Sequence, residues 1–279
     1  MVDIYQNVSF KTSENVTKVY STSFSLAVSM LNPEIRKAIY SIYGFVRIAD
    51  EIVDSFLDAD QEALLDELTL NLDSAIKNGI STNPLLNSFA ITVNKYQIPR
   101  HLIDSFMASM RADLTKKNYE NYIETDDYIY GSAKVVGLMC LKVFIKGDEE
   151  MYKKLELPAM FLGSAFQKVN FLRDLRADFE DLDRTYFHNF DKNSFNDETK
   201  MKIIEDIEQD FKLAKEGIKM LPGQAKLAVW IAYKYYLRLL HVLKRTPADK
   251  LIGTRIRVNN VTKIMILNQA YISYKLNLI

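Results

Sequence analysis

The sequence has little glycine and proline, the residues that interrupt helices and form tight turns. Its 279 residues include only nine glycines and six prolines, whereas 48% of them are hydrophobic. A β protein of this length needs many turns, so this composition favours long helices around a large core. We therefore expect an all-α chain.

The sequence also lacks the signals that divide a chain or direct it to a membrane. It has no linker rich in glycine, proline or serine, and its single cysteine, Cys140, is typical of a reducing compartment. Uncharged apolar stretches such as 157–166 are about half of the roughly 20 residues that span a bilayer. We expect one domain over residues 1–279 in the cytoplasm. For the apolar segment 264–274, core packing is favoured over peripheral membrane contact.

Several classes of function are excluded by what is missing. The 36 basic and 36 acidic residues balance, and no basic patch suggests a nucleic-acid partner. The glycines are too far apart for a dinucleotide or phosphate loop, so no NAD(P) motif is detected. The three histidines lie in no Glu-x-x-His context, and Cys140 reads as a packed core thiol.

Apolar residues recur at helical spacing along the whole chain. The clearest start is Asn32-Pro33-Glu34, where a capping residue precedes a proline and an acid, and this helix should run to about Phe56. Further helices are predicted at about 12–30, 60–77, 85–95, 99–115, 126–145, 149–180, 197–219, 224–246 and 258–275.

Two acidic pentads stand out within these helices. Asp50 and Asp54 are four residues apart in an apolar segment, and so are Asp174 and Asp178. Residues four apart lie on one helix face, so each pentad is a pair of oxygen ligands. One pentad alone is better explained as a solvated helix face.

The residues that precede each pentad at helical steps are also polar. Tyr43 and Arg47 extend the first face, and Gln167 and Asn170 extend the second, with Arg173 beside Asp174. Carboxylates on apolar helices require compensating cations, and Mg²⁺ prefers oxygen ligands while leaving positions for phosphates. Together, the two faces predict one magnesium-diphosphate site.

These residues resemble the squalene/phytoene synthase family, head-to-head prenyl transferases with the isoprenoid synthase fold, and especially its bacterial carotenoid branch. The similarity covers nearly the whole chain. It is carried by Tyr20-Ser-Thr-Ser-Phe-Ser25, by Ile42 to Asp54, by Tyr128 to Gly137, by Gln167 to Asp178, by Asp183-Arg-Thr-Tyr-Phe187, and by Tyr236, Arg255 and Lys263. Ser132 and Lys134 depart from the usual small or apolar residues, and Tyr20 stands where some relatives have histidine. Whether Lys134 points outward or meets a diphosphate is open.

The resemblance implies a role for each matching residue. The metal ligands would be Asp50, Asp54, Asn170, Asp174 and Asp178. The catalytic residues would be these four aspartates with Arg47 and Arg173. The substrate-binding residues would be Tyr20, Ser21, Ser23, Phe24, Tyr43, Arg47, Gln167, Asn170, Arg173, Tyr236 and Arg255.

The resemblance also implies the reaction. Two geranylgeranyl diphosphates would condense through prephytoene diphosphate to 15-cis-phytoene in carotenoid biosynthesis, with Mg²⁺, or Mn²⁺ as a substitute. Phe24, Val136 and Leu162 are candidates for setting chain length. The alternative is a C15 enzyme that makes dehydrosqualene, presqualene diphosphate or squalene from farnesyl diphosphate. A different class of function, a non-catalytic isoprenoid-binding bundle, also stays open.

Overall fold

The computed structural model describes residues 2–180, 184–187 and 195–279, with the side chains of 178–180 not described. The protein is 81% helical, and the extended pairing in its described part is one isolated bridge between Asn118 and Thr185. The helices are α1 Val2–Tyr20, α2 Thr22–Val28, α3 Pro33–Asp54, α4 Gln61–Asn78, α5 Pro84–Tyr96, α6 Arg100–Ala112, α7 Tyr122–Ile129, α8 Val135–Ile145, α9 Glu149–Glu180, α10 Asp197–Met220, α11 Gly223–Arg245, α12 Ala248–Gly253 and α13 Asn260–Lys275, with a π-helical segment Tyr130–Lys134 between α7 and α8. The predicted all-α class is confirmed.

The first helix differs from its prediction. Residues 12–30 do not form one helix, because α1 already begins at Val2 and the chain breaks at Ser21 before α2. Ser21 has an extended backbone, and its hydroxyl accepts a hydrogen bond from the backbone N–H of Phe24 at 3.3 Å. A serine cap satisfies an amide that the helix start leaves free. The apolar pattern continues across the break, which is why periodicity alone missed it.

The helix that carries the first pentad begins where its sequence predicted. Asn32 caps α3 by accepting from the backbone N–H of Ile35 at 3.0 Å, and Pro33 occupies the first turn. One side of α3 is buried in the core through residues such as Ile39, Ile42 and Phe45. The neighbouring stripe, which carries the pentad, is thereby held against a cavity rather than solvent alone.

The predicted helix 126–145 is three helical pieces in one continuous stretch from Tyr122 to Ile145. Within it the π-helical segment packs closely on its neighbours. A Cβ on Gly131 would lie 2.6 Å from the carbonyl oxygen of Ser105, and one on Gly163 of α9 would lie 2.8 Å from that of Ala133. Glycine at both positions therefore lets α6 and α9 approach this segment backbone to backbone.

The hydrophobic core has two main parts, each formed by a different set of helices. The N-terminal part is built chiefly from α3, α4, α5, α6 and α8. The C-terminal part is built chiefly from α9, α10, α11 and α13. Both contribute walls to one large cavity. The two long helices with the pentads, α3 and α9, therefore face the same space.

The C-terminal helix corrects one expectation. Core packing was predicted for segment 264–274, yet Ile264, Met265, Tyr271 and Ile272 are exposed and only Ala270 of α13 is fully buried. The segment lies on the surface of α11 and is covered on one side only, so half of its apolar residues face outward.

One described stretch is long and apolar enough to cross a bilayer by length and composition. It is Tyr122–Ile145, with a mean hydropathy of 1.5 in its most apolar window. It includes Lys134 and Lys142, so the uncharged runs in the sequence are shorter. Because 61% of that window is buried inside the fold, its apolar character is accounted for by the bundle core.

Candidate active site

The cavity between the two core regions has a volume of about 680 Å³. On α3 the lining residues change from Ile39 and Ile42 to Asp50 and Asp54 along the chain. On α9 the lining residues also change along the chain, from the apolar Leu162 to polar residues nearer the C-terminal end of the helix. The cavity thus has an apolar part and a polar part, and both helices contribute to each.

The polar wall from α3 consists of Tyr43, Arg47, Asp50 and Asp54, which we call the α3 arm. Arg47 donates from Nη1 to Asp50 Oδ2 at 2.5 Å and also pairs with Glu51. Its guanidinium lies 4.4 Å from the ring centroid of Tyr20, a cation-π contact. The Nε atom of Arg47 is buried and has no hydrogen-bond partner in the described part of the chain. Arg47 therefore lines the cavity while one of its donors is left without a hydrogen bond in the described part of the chain.

The charge on Asp50 is only partly balanced. Its pKa is raised to about 6, because burial disfavours the carboxylate and the charge of Asp54 repels it, while Arg47 acts in the opposite direction. Its side chain still keeps 34% of its surface exposed, because it borders the cavity. A further positive charge beside Asp50 would favour its ionised form.

Arg184 joins the α3 arm from a distant part of the sequence. It is 7% exposed and donates from Nη1 to Asp54 Oδ1 at 2.6 Å and from Nη2 to the carbonyl oxygen of Val53 at 3.1 Å. Sequence reasoning noted Arg184 within a family motif but gave it no role. Arg184 and Asp54 lie in distant parts of the sequence, so no periodic pattern in the sequence predicts their contact.

The facing wall from α9 consists of Gln167, Asn170, Arg173 and Asp174, which we call the α9 arm. Arg173 donates from Nε to Asp174 Oδ1 at 3.0 Å. Burial opposes the charged form of Arg173, but the hydrogen bond and charge of Asp174 outweigh it and raise its pKa. Asp178, the second acid of this pentad, has a side chain outside the described residues, and Asp183 lies outside them altogether.

Two residues from later helices complete the α9 arm. Arg255, which follows α12, lies with Nε 2.8 Å from Asp174 Oδ1. The hydroxyl of Tyr236 on α11 donates to Asn170 Oδ1 at 3.3 Å. Asp174 is therefore contacted by two arginines, its neighbour Arg173 on α9 and Arg255 from a later part of the chain.

Aromatic rings surround both arms. Phe24 stacks on Tyr43 with ring centroids 5.1 Å apart, and Phe166 stacks on Tyr236 at 3.9 Å. Burial raises the pKa of Tyr43 to about 12 and also raises that of Tyr236. Both phenols therefore stay protonated at neutral pH and can donate hydrogen bonds.

The structure brings nearly all of the predicted substrate-binding residues to this cavity. Those on its wall are Tyr20, Ser21, Phe24, Tyr43, Arg47, Gln167, Asn170, Arg173, Tyr236 and Arg255. Ser23 is not on the wall, because α2 directs Phe24, Ala27 and Val28 towards the cavity at helical spacing and turns Ser23 away. The position of Ser23 does not support the substrate contact assigned to it.

Lys134 has a structural partner rather than a place on the cavity wall. It is buried, and its Nζ donates to Asp126 Oδ1 at 2.5 Å. Ser132, two residues earlier, does line the cavity, and its hydroxyl has no partner in the described part of the chain. The two departures from the family pattern therefore lie in different environments.

Asp113 is a cavity residue that sequence reasoning missed. It accepts a hydrogen bond from the Tyr128 hydroxyl at 2.7 Å, while its Oδ1 has no partner among the described residues. Burial raises its pKa to about 7, against the opposing charge of Arg184. A lone acid at the end of α6 carries no sequence pattern that would have marked it.

The apolar part of the cavity includes the three residues proposed to set chain length, Phe24, Val136 and Leu162. Cys140 lies there too, and burial raises the pKa of its thiol to about 12. This thiol is not activated as a nucleophile, as predicted, but Cys140 is partly buried at the cavity wall and is not a fully packed core residue.

Comparison with known proteins assigns this cavity to a family. The family model described as squalene/phytoene synthase matches residues 17–188, more than half of the chain. This chain belongs to the squalene/phytoene synthase family. It is therefore a prenyltransferase of isoprenoid biosynthesis that joins prenyl diphosphates head to head.

Individual members of the squalene/phytoene synthase family are similar over most of their length. A phytoene synthase of Arthrospira platensis is 27% identical over 267 residues, covering 86% of this chain and 85% of the relative. A 4,4'-diapophytoene synthase of Staphylococcus haemolyticus is 28% identical over 222 residues, covering 76% and 72%. A solved dehydrosqualene synthase with a ligand superimposes with a TM-score of 0.81 at 22% identity over 98% of both chains. This last likeness confirms the expected isoprenoid synthase fold.

Proposed function

We propose that this prenyltransferase condenses two geranylgeranyl diphosphates to 15-cis-phytoene through prephytoene diphosphate in carotenoid biosynthesis. The observation that carries the proposal is the pair of arms on α3 and α9. Among the described side chains the α3 arm presents two carboxylates and the α9 arm one, each arm together with arginine, to one cavity, and the rest of that cavity is largely apolar. Such a cavity suits two molecules that each have a diphosphate head and a long hydrocarbon tail.

The donor set of the arms fits magnesium. The ligands would be Asp50, Asp54, Asn170 and Asp174, all with the hard oxygen atoms that Mg²⁺ prefers. The raised pKa of Asp50 supports this assignment, because two neighbouring acids lack full compensation. In the described part of the chain no three acidic, histidine or cysteine side chains are already gathered around one point. Because Mg²⁺ keeps part of its shell for substrate phosphates, two separated arms remain compatible with it.

When bound there, Mg²⁺, or Mn²⁺ in its place, would supply the positive charge that stabilises a departing diphosphate. The arginines of the chain serve the same purpose. Arg47 has its free Nε donor, and Arg173 and Arg255 share Asp174 between them. On substrate binding these guanidiniums would turn towards phosphate oxygens, to which they can bind in a bidentate manner.

The aromatic and apolar wall protects the cation that diphosphate departure leaves behind. Phe24, Phe166 and Phe171 line the cavity beside the arms. Their ring faces stabilise positive charge, and their packing excludes water that would capture it. The double bond of the second substrate then attacks the cation, and proton loss gives the cyclopropylcarbinyl intermediate. After the second diphosphate leaves and the carbon skeleton rearranges, loss of another proton forms the central double bond.

A second candidate is the corresponding C15 reaction, which makes dehydrosqualene, presqualene diphosphate or squalene from farnesyl diphosphate. It is favoured by the names of two similar proteins, the 4,4'-diapophytoene synthase and the dehydrosqualene synthase. A non-catalytic isoprenoid-binding bundle has less support, because the acids of the described site residues are all in place on the cavity wall.

The test is a competition assay with purified protein, Mg²⁺ and equal concentrations of the C15 and C20 diphosphates. Extracted lipids report which chains were joined, and phosphate analysis reports diphosphate release. We expect phytoene as the main product. Turnover of the C15 substrate alone would disprove the C20 assignment, and absence of diphosphate release from either substrate would disprove catalysis.

A further inference from the structure

The outer face of α13 is apolar and uncovered. Val261, Ile264, Met265 and Ile272 follow one another at helical spacing, and each is at least half exposed. Tyr271, Leu276 and Leu278 beside them are also exposed. The last 19 residues thus contain seven exposed large apolar side chains.

The opposite face of α13 holds the helix in place. Ala270 is buried, and Leu267 and Tyr274 pack against the C-terminal core on α11. The Nζ atom of Lys263 also donates to Thr22 Oγ1 at 3.0 Å, which ties α13 to α2. The exposed apolar residues therefore belong to a docked helix, and their exposure does not come from a detached tail.

The charge of this region differs from that of the whole chain. From residue 250 to the C-terminus there are five basic residues and no acidic residue, although the whole sequence is neutral. The five are Lys250, Arg255, Arg257, Lys263 and Lys275. Arg255 is engaged by Asp174 at the cavity, which leaves four other bases on or near α13.

We propose that the outer face of α13, defined by Val261, Ile264, Met265 and Ile272, docks onto a lipid bilayer that contains anionic lipids. Apolar side chains flanked by lysine and arginine are the features by which a helix binds in the plane of a membrane interface. A second copy of this chain fits less well, because a two-fold interface would set the same basic residues against each other.

The position of α13 next to the cavity indicates what membrane docking through this surface would do. Arg255 lies just before α13 and on the cavity wall, so the helix begins beside the site. Both the substrates and the hydrocarbon product of the proposed function partition into lipid, and docking here would place the cavity at the membrane. Only this purpose rests on the proposed function, since the surface itself can be tested without substrate.

Vesicle flotation of the full chain tests the proposal. We expect binding to vesicles of phosphatidylcholine with phosphatidylglycerol, weaker binding to phosphatidylcholine alone, and release by salt. A triple variant, Ile264→Ser with Met265→Ser and Ile272→Ser, should lower partitioning about tenfold or more. A double variant, Arg257→Gln with Lys275→Gln, should lower binding to the anionic vesicles about tenfold or more, with little effect on the neutral ones.

A matched control is Leu70→Ser with Leu213→Ser, which removes exposed apolar side chains from α4 and α10. It should bind vesicles as the unmodified protein does. Circular dichroism and diphosphate release from detergent-dispersed substrate check that each variant is folded. If neither the unmodified protein nor any variant turns over substrate, but vesicle binding follows the expected pattern, the result would contradict the proposed function and leave the bilayer proposal supported.

Two results would overturn the bilayer proposal. In the first, the unmodified chain fails to float with anionic vesicles, or the triple variant floats equally well. In the second, sedimentation shows a dimer that the triple variant converts to a monomer, which would assign this face to a second copy.

Discussion

The Asp50 carboxylate lies between Arg47, which balances part of its charge, and Asp54, which repels it. This environment favours a site that binds a cation over a site that stabilises the fold, because burial and the neighbouring acid both disfavour the charge. Asp174 on α9 differs, since two arginines contact it. The two arms are therefore electrostatically unequal before any ligand binds.

Replacing Asp50 by Ala should lower turnover about a hundredfold or more, because the departing diphosphate loses part of its electrostatic stabilisation. The melting temperature should stay unchanged or rise, since a poorly compensated buried charge is removed. Steady-state kinetics and thermal denaturation measure the two effects. The matched control is Asp66→Ala, which removes an exposed acid paired with Arg111 on the bundle surface. A variant that melts much earlier but keeps its turnover would identify a structural role for Asp50.

Asp113 predicts how stability depends on pH. Burial raises its pKa from 3.8 to about 7. Between these values the unfolded chain releases the proton while the folded chain retains it, so this residue lowers stability as pH rises. Asp113→Asn should therefore reduce the loss of stability between about pH 5 and about pH 8, by an amount on the order of a few kcal/mol at most. Urea denaturation at both pH values measures it.

The comparison for Asp113 is Asp66→Asn, which should leave the pH dependence of stability as it is. If Asp113→Asn shows the same pH dependence as the unmodified chain, Asp113 titrates near its ordinary value in the folded protein. The hydrogen bond from Tyr128 then favours the ionised form more strongly than burial disfavours it.

At the level of elements, the π-helical segment Tyr130–Lys134 fixes the spacing between α6, α9 and the cavity. Its carbonyl at Ala133 leaves no room for a side chain at position 163 of α9. Ser132 reaches the cavity from this segment while Lys134 turns to Asp126. A regular α-helix would direct these side chains differently, because the extra residue in a π turn shifts every later position around the axis.

Gly163→Ala should destabilise the protein by about 1–3 kcal/mol, because its methyl group would lie 2.8 Å from the carbonyl oxygen of Ala133 and backbone must move to admit it. Turnover should fall as well, since α9 carries one arm of the site. Gly253→Ala is the control, because a Cβ there meets nothing within 4 Å. Urea denaturation compares the two variants, and equal stability would show that the segment adapts at little cost.

At the level of the whole molecule, the two core regions enclose one cavity whose apolar part determines which tails can enter. Phe24 from α2, Val136 from α8 and Leu162 from α9 reach it from three helices. Chain length is therefore a property of how the helices are arranged, since no single helix forms the cavity.

Val136→Phe should shift the preference in the competition assay towards the C15 substrate by about tenfold or more, because the larger ring occupies space that the longer tail needs. The matched control is Val8→Phe on α1, where the side chain is half exposed on the surface. The ratio of C30 to C40 products is the measurement. An unchanged ratio with normal total turnover would place the length-determining wall elsewhere in the cavity.

The sequence by itself determined the all-α class, most of the helices and the pentad faces. Their periodic spacing and the cap at Asn32 are local properties that the chain carries wherever it folds. Polar groups on otherwise apolar helices identified the cavity residues of α3 and α9, and the family resemblance identified those of α1, α2 and α11. The sequence did not determine the break at Ser21 or the absence of Ser23 from the cavity wall, because the apolar pattern continues through both.

Only the tertiary structure decided which distant groups meet. The pairing of Arg184 with Asp54 and the contact of Arg255 with Asp174 join residues far apart in the chain, and the burial of Asp113 against Tyr128 joins the end of α6 to α7. The same holds for α13, for which the sequence favoured core packing, whereas in the structure Ile264, Met265 and Ile272 are exposed. Burial and electrostatic partners depend on which helices pack together, and no local pattern specifies that packing.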